Sequence, residues 1–137
     1  MSAVFALHLV LKRDQAVKDK SQRLVREKMS LLELKEEIAH NLVFFDRIND
    51  GSPFELNRND NLKIHAVQKY TGDFPLTGDE MVCIENAYRI FNLINSAIES
   101  IIDQESPSFQ SLTPLIRENR HDVEEALNVI EQALMEF

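Results

Sequence analysis

Apolar residues recur at every seventh position through the first third of the chain: Ala3, Val10, Val17, Leu24, Leu31, Ile38 and Phe45. A seven-residue repeat returns to nearly the same face of an α-helix, so this single register predicts one long helix. No Gly or Pro precedes Gly51 to interrupt it. Companion residues thicken the stripe at both ends, with Val4, Leu7 and Leu11 first and Leu32, Leu34, Ala39, Leu42 and Ile48 later. Between 12 and 28 only Ala16 and Val25 flank it, and a thin stripe under a charged coat marks a helix that crosses one neighbour and otherwise faces water. The tract VKDKSQRLVREK, residues 17–28, therefore reads as helix and not as linker. Two local signals compete with this reading. Ser30-Leu-Leu-Glu33 has the form of a capping box that starts a new helix and kinks the chain, and VFALHLVL, residues 4–11, also alternates as a strand does.

Beyond the first helix, Asn49-Asp50-Gly51-Ser52-Pro53 is a stop, because Gly supplies a left-handed cap and Pro cannot continue the helix. The polar run FELNRNDN leads to a short helix from about Asp60 to Tyr70, closed by Thr71-Gly72. Thr77-Gly-Asp-Glu80 is a second capping box, and it predicts a long helix over about 78–102. Met81, Ile84, Tyr88, Phe91, Ile94, Ala97, Ile98, Ile101 and Ile102 make its apolar face wide, as suits the central helix of a core. Glu105-Ser-Pro-Ser108 breaks it, Thr113-Pro114 caps the next helix, and Asp122-x-x-Glu125 restarts helix after Asn119-Arg-His121. Val123, Leu127, Ile130, Leu134 and Phe137 complete an amphipathic C-terminal helix. The pattern predicts an all-α protein: an antiparallel helical bundle of four to five helices with a long N-terminal helix, in one domain over residues 1–137.

Composition agrees with one core, since 137 residues with 44% apolar and 28% charged side chains are ordinary for a globular chain. The opening lacks a basic residue before its apolar run and a small-residue cleavage pattern after it, so it does not read as a signal peptide. No run approaches the roughly 18 apolar residues of a membrane span. Cys83 is the lone cysteine, expected to be a buried inert thiol in a reducing cytoplasm.

Charge changes the picture more. The net charge is −8, yet residues 12–28 hold seven bases against three acids, so this stretch is +4 and the remainder −12. A body that acidic repels phosphate, which argues against nucleic acid and for a protein partner or a second copy. Lys18, Lys20, Arg23 and Arg26 are the expected partner-binding residues, and the acids of residues 122–136 are their opposite-signed counterpart. A homodimer is expected as well, because a helical run of about 25 residues spans about 37 Å, more than a short helix over 60–70 covers.

Candidate chemistry is sparse. Glu37-Ile-Ala-His40 and Glu118-Asn-Arg-His121 have the Glu-x-x-His form used in di-iron bundles. At about 100° per residue, however, His40 points away from the core direction, as do Glu118 and His121, so both pairs read as solvated surface and no metal or other cofactor is expected. His40 as a phosphotransfer histidine lacks the Lys and Gly expected after it. Arg58-Asn59 followed after five residues by His65 resembles the motif of HEPN-type helical ribonucleases. That resemblance implies Arg58 stabilising phosphate and His65 acting as acid or base at a dimer cleft. No Gly-x-Ser-x-Gly elbow, P-loop or Rossmann glycine run occurs, and an enzyme is not indicated. The expectation is a small cytoplasmic helical protein that works by protein–protein binding, as a regulator, adaptor, export chaperone or immunity-type inhibitor, with the ribonuclease as the alternative.

Overall fold

The structure is a computed structural model that describes residues 2–49, 61–70, 72, 74–104 and 109–137. Four α-helices occur among them, not five: α1 (Ser2–Asn49), the single turn α2 (Ala66–Lys69), α3 (Gly78–Ile102) and α4 (Leu112–Leu134). A 3₁₀ turn, Phe109–Ser111, leads into α4. No strand occurs among the described residues, so VFALHLVL is helical. The helix stop after Asn49, Arg58 and the Glu105–Ser108 break lie outside the described residues.

α1 runs unbroken for 48 residues. Ser30 does not start a new helix: its hydroxyl donates to the Glu27 carbonyl at 2.6 Å, so the oxygen that would cap a helix is turned back into the preceding turn. α3 begins where Thr77 predicts. The Glu80 amide donates to Thr77 Oγ1 at 3.2 Å and the Thr77 amide donates to the Glu80 carboxylate at 2.8 Å, closing a capping box. α4 is also continuous, so Asp122 restarts nothing, and Ser111 rather than Thr113 precedes its first residue. Pro114 falls in the first turn, where its missing N–H has no helical acceptor to lose. The helix predicted from Asp60 shrinks to Ala66–Lys69: residues 61–65 form no regular element, and Leu62 and Lys63 are held by Asn95 of α3 and Asn41 of α1. Gly72 follows it with φ +86°, a left-handed turn that glycine adopts without steric cost.

Contacts fix the directions of the three long helices. Arg120 pairs with Asp46, while Lys35 shares a cleft with Glu131 and Met135, so α4 runs antiparallel to α1. Asn86 reaches Asp122, and α3 joins α4 through the 3₁₀ turn, so these two are antiparallel as well. Tyr88 meets Glu37 and Phe91 meets Phe45, which sets α1 and α3 parallel. The connection between two parallel helices must return along the bundle, and residues 61–70 do so beside α1.

The core lies between residues 31–48 of α1, the whole of α3 and α4. Leu31, Leu34, Ile38, Phe45, Ile84, Phe91, Ile94, Ile98, Ile116 and Ile130 are buried in it, and Phe91 packs edge-on against both Phe45 and Tyr88. Of the predicted C-terminal stripe, Val123 and Ile130 are buried, Leu127 and Leu134 half-buried and Phe137 exposed. Cys83 is half-buried and unbonded rather than sealed in the core. The heptad stripe of α1 divides in two: Leu31, Ile38 and Phe45 are fully buried, whereas Val10, Val17 and Leu24 are 52%, 68% and 43% exposed. α4 ends at the level of Lys35, Lys69 and Tyr70 reach α1 at Glu33, and Ser30 is the first described residue of α1 that is buried.

Candidate interaction surface

The half of α1 that leaves the bundle is the most conspicuous surface. Residues 2–29 form an arm of about 42 Å at 1.5 Å per residue. Every described side chain from Val4 to Met29 is exposed except half-buried Glu27. A helix without tertiary contacts draws little stability from packing, and this one also presents large apolar side chains to water.

Two kinds of side chain share the arm. Lys18 and Lys20 are exposed and make no ion pair among the described residues, Arg23 stands 3.8 Å from Glu27, and Arg26 is engaged within the chain. The acidic segment of α4 lies beside residues 31–46 of α1, with Glu131 at the level of Lys35, more than two helical turns along α1 from the nearest of these four bases. Glu124 pairs there with Arg120, and Asp122 accepts from Asn86 at 3.5 Å. The expected counterpart is therefore not in contact with the basic strip within one chain.

The second kind is a ridge that the seven-residue stripe does not describe. Val4, Leu7, Leu11, Val25, Met29, Leu32, Ala39 and Val43 lie on one line of steps of three or four, with Asp14, Lys18, Gln22 and Glu36 at its polar places. These steps trace one face of a helix, and the large apolar members are 40–79% exposed. The ridge is turned away from the buried line of Leu31, Leu34, Ile38 and Phe45, and at about 100° per residue Lys12, Lys20 and Arg23 lie on the side of the arm opposite it. The spacing was available in the sequence, but the thicker stripe at both ends of α1 obscured it.

The two Glu-x-x-His pairs do not assemble, and among the described residues no three His, Cys, Asp or Glu side chains are placed to hold a metal ion. His40, Glu118 and His121 are exposed. Glu37 is not a solvated surface acid. Its carboxylate accepts from the backbone amides of His65 at 3.2 Å and Ala66 at 3.1 Å and from the Tyr88 hydroxyl at 2.7 Å, so it caps the turn of α2 from another helix. One turn earlier, Glu33 accepts from the Tyr70 hydroxyl at 2.7 Å and from Lys69 at 3.1 Å. The Tyr70 bond, and then Lys69, hold the Glu33 carboxyl below its ordinary value, and the same pair raises Lys69.

These residues line an open cleft of about 470 Å³ with Glu36, His40, Lys63 and His65. His65 is exposed at its edge, and Arg58 lies outside the described residues. Three glutamates beside the histidine disfavour a phosphodiester there, and two of them are committed to holding the chain connection. The cleft is explained by support of the fold.

No protein-family model matches this chain, and neither do any curated proteins or solved structures.

Proposed function

We propose that this protein is a small cytoplasmic helical interaction protein, a regulator, adaptor, chaperone or inhibitor that engages another protein through the free half of α1. The observation that carries this reading is the exposure of every described side chain but Glu27 from Val4 to Met29 on a helix whose continuation buries one face in the core. A bundle does not require this arm for its own core, and an unpaired amphipathic helix is a common recognition element for grooves and helix faces. Lys18, Lys20, Arg23 and Arg26 set the charge of the arm and favour an acidic partner. Exposed charges contribute little stability but strongly influence approach and partner choice. No helix among the described residues is long and apolar enough to cross a membrane.

Reversing the four bases to glutamate tests the reading. Bound protein recovered from the native cell should be lost with the reversed chain, while the melting temperature stays within a few degrees. Retention of the same bound proteins by the reversed chain, in low and high salt, would show that the strip only solubilises the arm.

A further inference from the structure

The ridge on the arm has a second property. Its apolar members form two groups, Val4, Leu7 and Leu11 at one end and Val25, Met29 and Leu32 at the other, with Asp14, Lys18 and Gln22 between them. The steps read the same in both directions about Lys18. Turned end for end and laid on itself, the ridge puts Val4 on Leu32, Leu7 on Met29, Leu11 on Val25 and Asp14 on Gln22. From this we infer that the occupant of the ridge is a second copy of the chain, with the two arms pairing antiparallel about a two-fold axis at Lys18. The inference rests on the reading of the arm as a docking element and assigns it a second face.

Size is adequate. Residues 4–32 span about 43 Å, and a helix face about 10 Å wide gives about 900 Å² over the two copies, close to the roughly 1,000 Å² at which specific interfaces begin. Met135, 79% exposed and beside Lys35, adds apolar surface where the N-terminus of the second copy arrives. Charge chooses the direction. Outside residues 12–28 each chain sums to −12, and parallel pairing would set two such bodies side by side and Asp14 against Asp14. Antiparallel pairing places the bodies at opposite ends of the paired arms. It leaves Lys18 beside Lys18 at the axis, a single polar layer that weakens the pair but fixes its register, with Asp14 one turn away on each helix. Lys12, Lys20 and Arg23 stay on the outer faces.

The test uses the full chain. Sedimentation should show a reversible, concentration-dependent rise from 15.8 kDa toward twice that mass. Leu11→Glu should weaken association by at least about tenfold with the bundle's melting temperature unchanged. In a Cys83→Ser background, mixed Leu11→Cys and Val25→Cys proteins should cross-link to each other on mild oxidation. Leu11→Cys alone should not, since in the antiparallel pair its two copies stand about 21 Å apart. Reversal of Lys20 and Arg23 should leave the cross-link intact while removing an acidic partner, so the dimer and the partner reading fail independently. A monomer at submillimolar concentration, self-cross-linking of Leu11→Cys in place of the mixed pair, or a monomer that binds only to phosphatidylserine vesicles would overturn the inference.

Discussion

Asn41 on α1 holds Lys63 by both of its backbone groups: the side-chain amide donates to the Lys63 carbonyl at 2.9 Å and the Lys63 amide donates back to Asn41 Oδ1 at 3.0 Å. Asn95 on α3 does the same to Leu62, at 3.0 and 2.8 Å. Two helices thereby satisfy the backbone of a segment that belongs to no helix or sheet. Asn41 is fully buried, so its replacement leaves donors and acceptors without water or protein to satisfy them. Asn41→Leu should cost about 1–3 kcal/mol. In urea titrations the midpoint should fall with an unchanged slope, while exposed Asn128→Ala on α4 should stay within about 0.5 kcal/mol of the parent.

Ile38 and Val17 occupy the same position of the α1 repeat, yet one is sealed in the core and the other is 68% exposed. Ile38→Ala should destabilise the bundle by about 2–5 kcal/mol through lost burial and the cavity left behind. Val17→Ala should change the unfolding midpoint of dilute protein by less than about 0.5 kcal/mol. Equal losses at the two positions would mean that the arm is packed within the monomer after all.

Acid should loosen the attachment of α2. Glu33 titrates below its ordinary 4.5 in the folded chain, so its contribution is present above that value and is lost as pH falls through the folded value. Glu33→Gln should therefore melt lower than the parent near neutrality, and the two curves should converge as pH falls from the ordinary 4.5 through the lowered folded value. Melting temperatures between pH 3 and pH 7 measure this, and parallel curves would assign the acid sensitivity elsewhere.

Alkali acts on the neighbouring clamp. Burial, and then the bond to Glu37, push the Tyr88 phenol above its ordinary 10.0. A group raised by folding contributes fully below its unfolded value, and the contribution declines as pH climbs from there toward the folded value. The parent should lose stability as pH rises past about 10, and Tyr88→Phe should lose less over the same range, because it retains the ring packing on Phe91 but has no proton to release. Melts between pH 8 and pH 11 decide it.

Amide exchange should separate the two halves of α1. In dilute protein, residues 12–28 should exchange far faster than residues 31–48, since a helix without tertiary contacts opens locally at little cost. Uniform protection along the helix would contradict a free arm.

The helical periods, the Thr77 capping box and the turn at Gly72 were legible in the sequence because each depends on residues within one or two turns of one another. Continuity of α1 through Ser30 was left open by the sequence, where the seven-residue register competed with a capping-box signal, and the structure settles it by turning the Ser30 hydroxyl back onto the Glu27 carbonyl. What the tertiary structure decided was which copies of a repeated pattern find neighbours. Val17 and Ile38 share one register, and the thin stripe around Val17 left room for one crossing neighbour; that it has none follows from α4 being 23 residues long and ending beside Lys35. The single turn of α2 depends likewise on distant partners, as Asn41, Asn95 and Glu37 draw residues 62–66 into place from 22 to 33 positions away. Glu37 read as a surface acid beside His40 because short-range spacing gives direction but not company. Only the return of the chain along α1 brings amides and a tyrosine to its carboxylate and turns an ordinary polar position into a support of the fold.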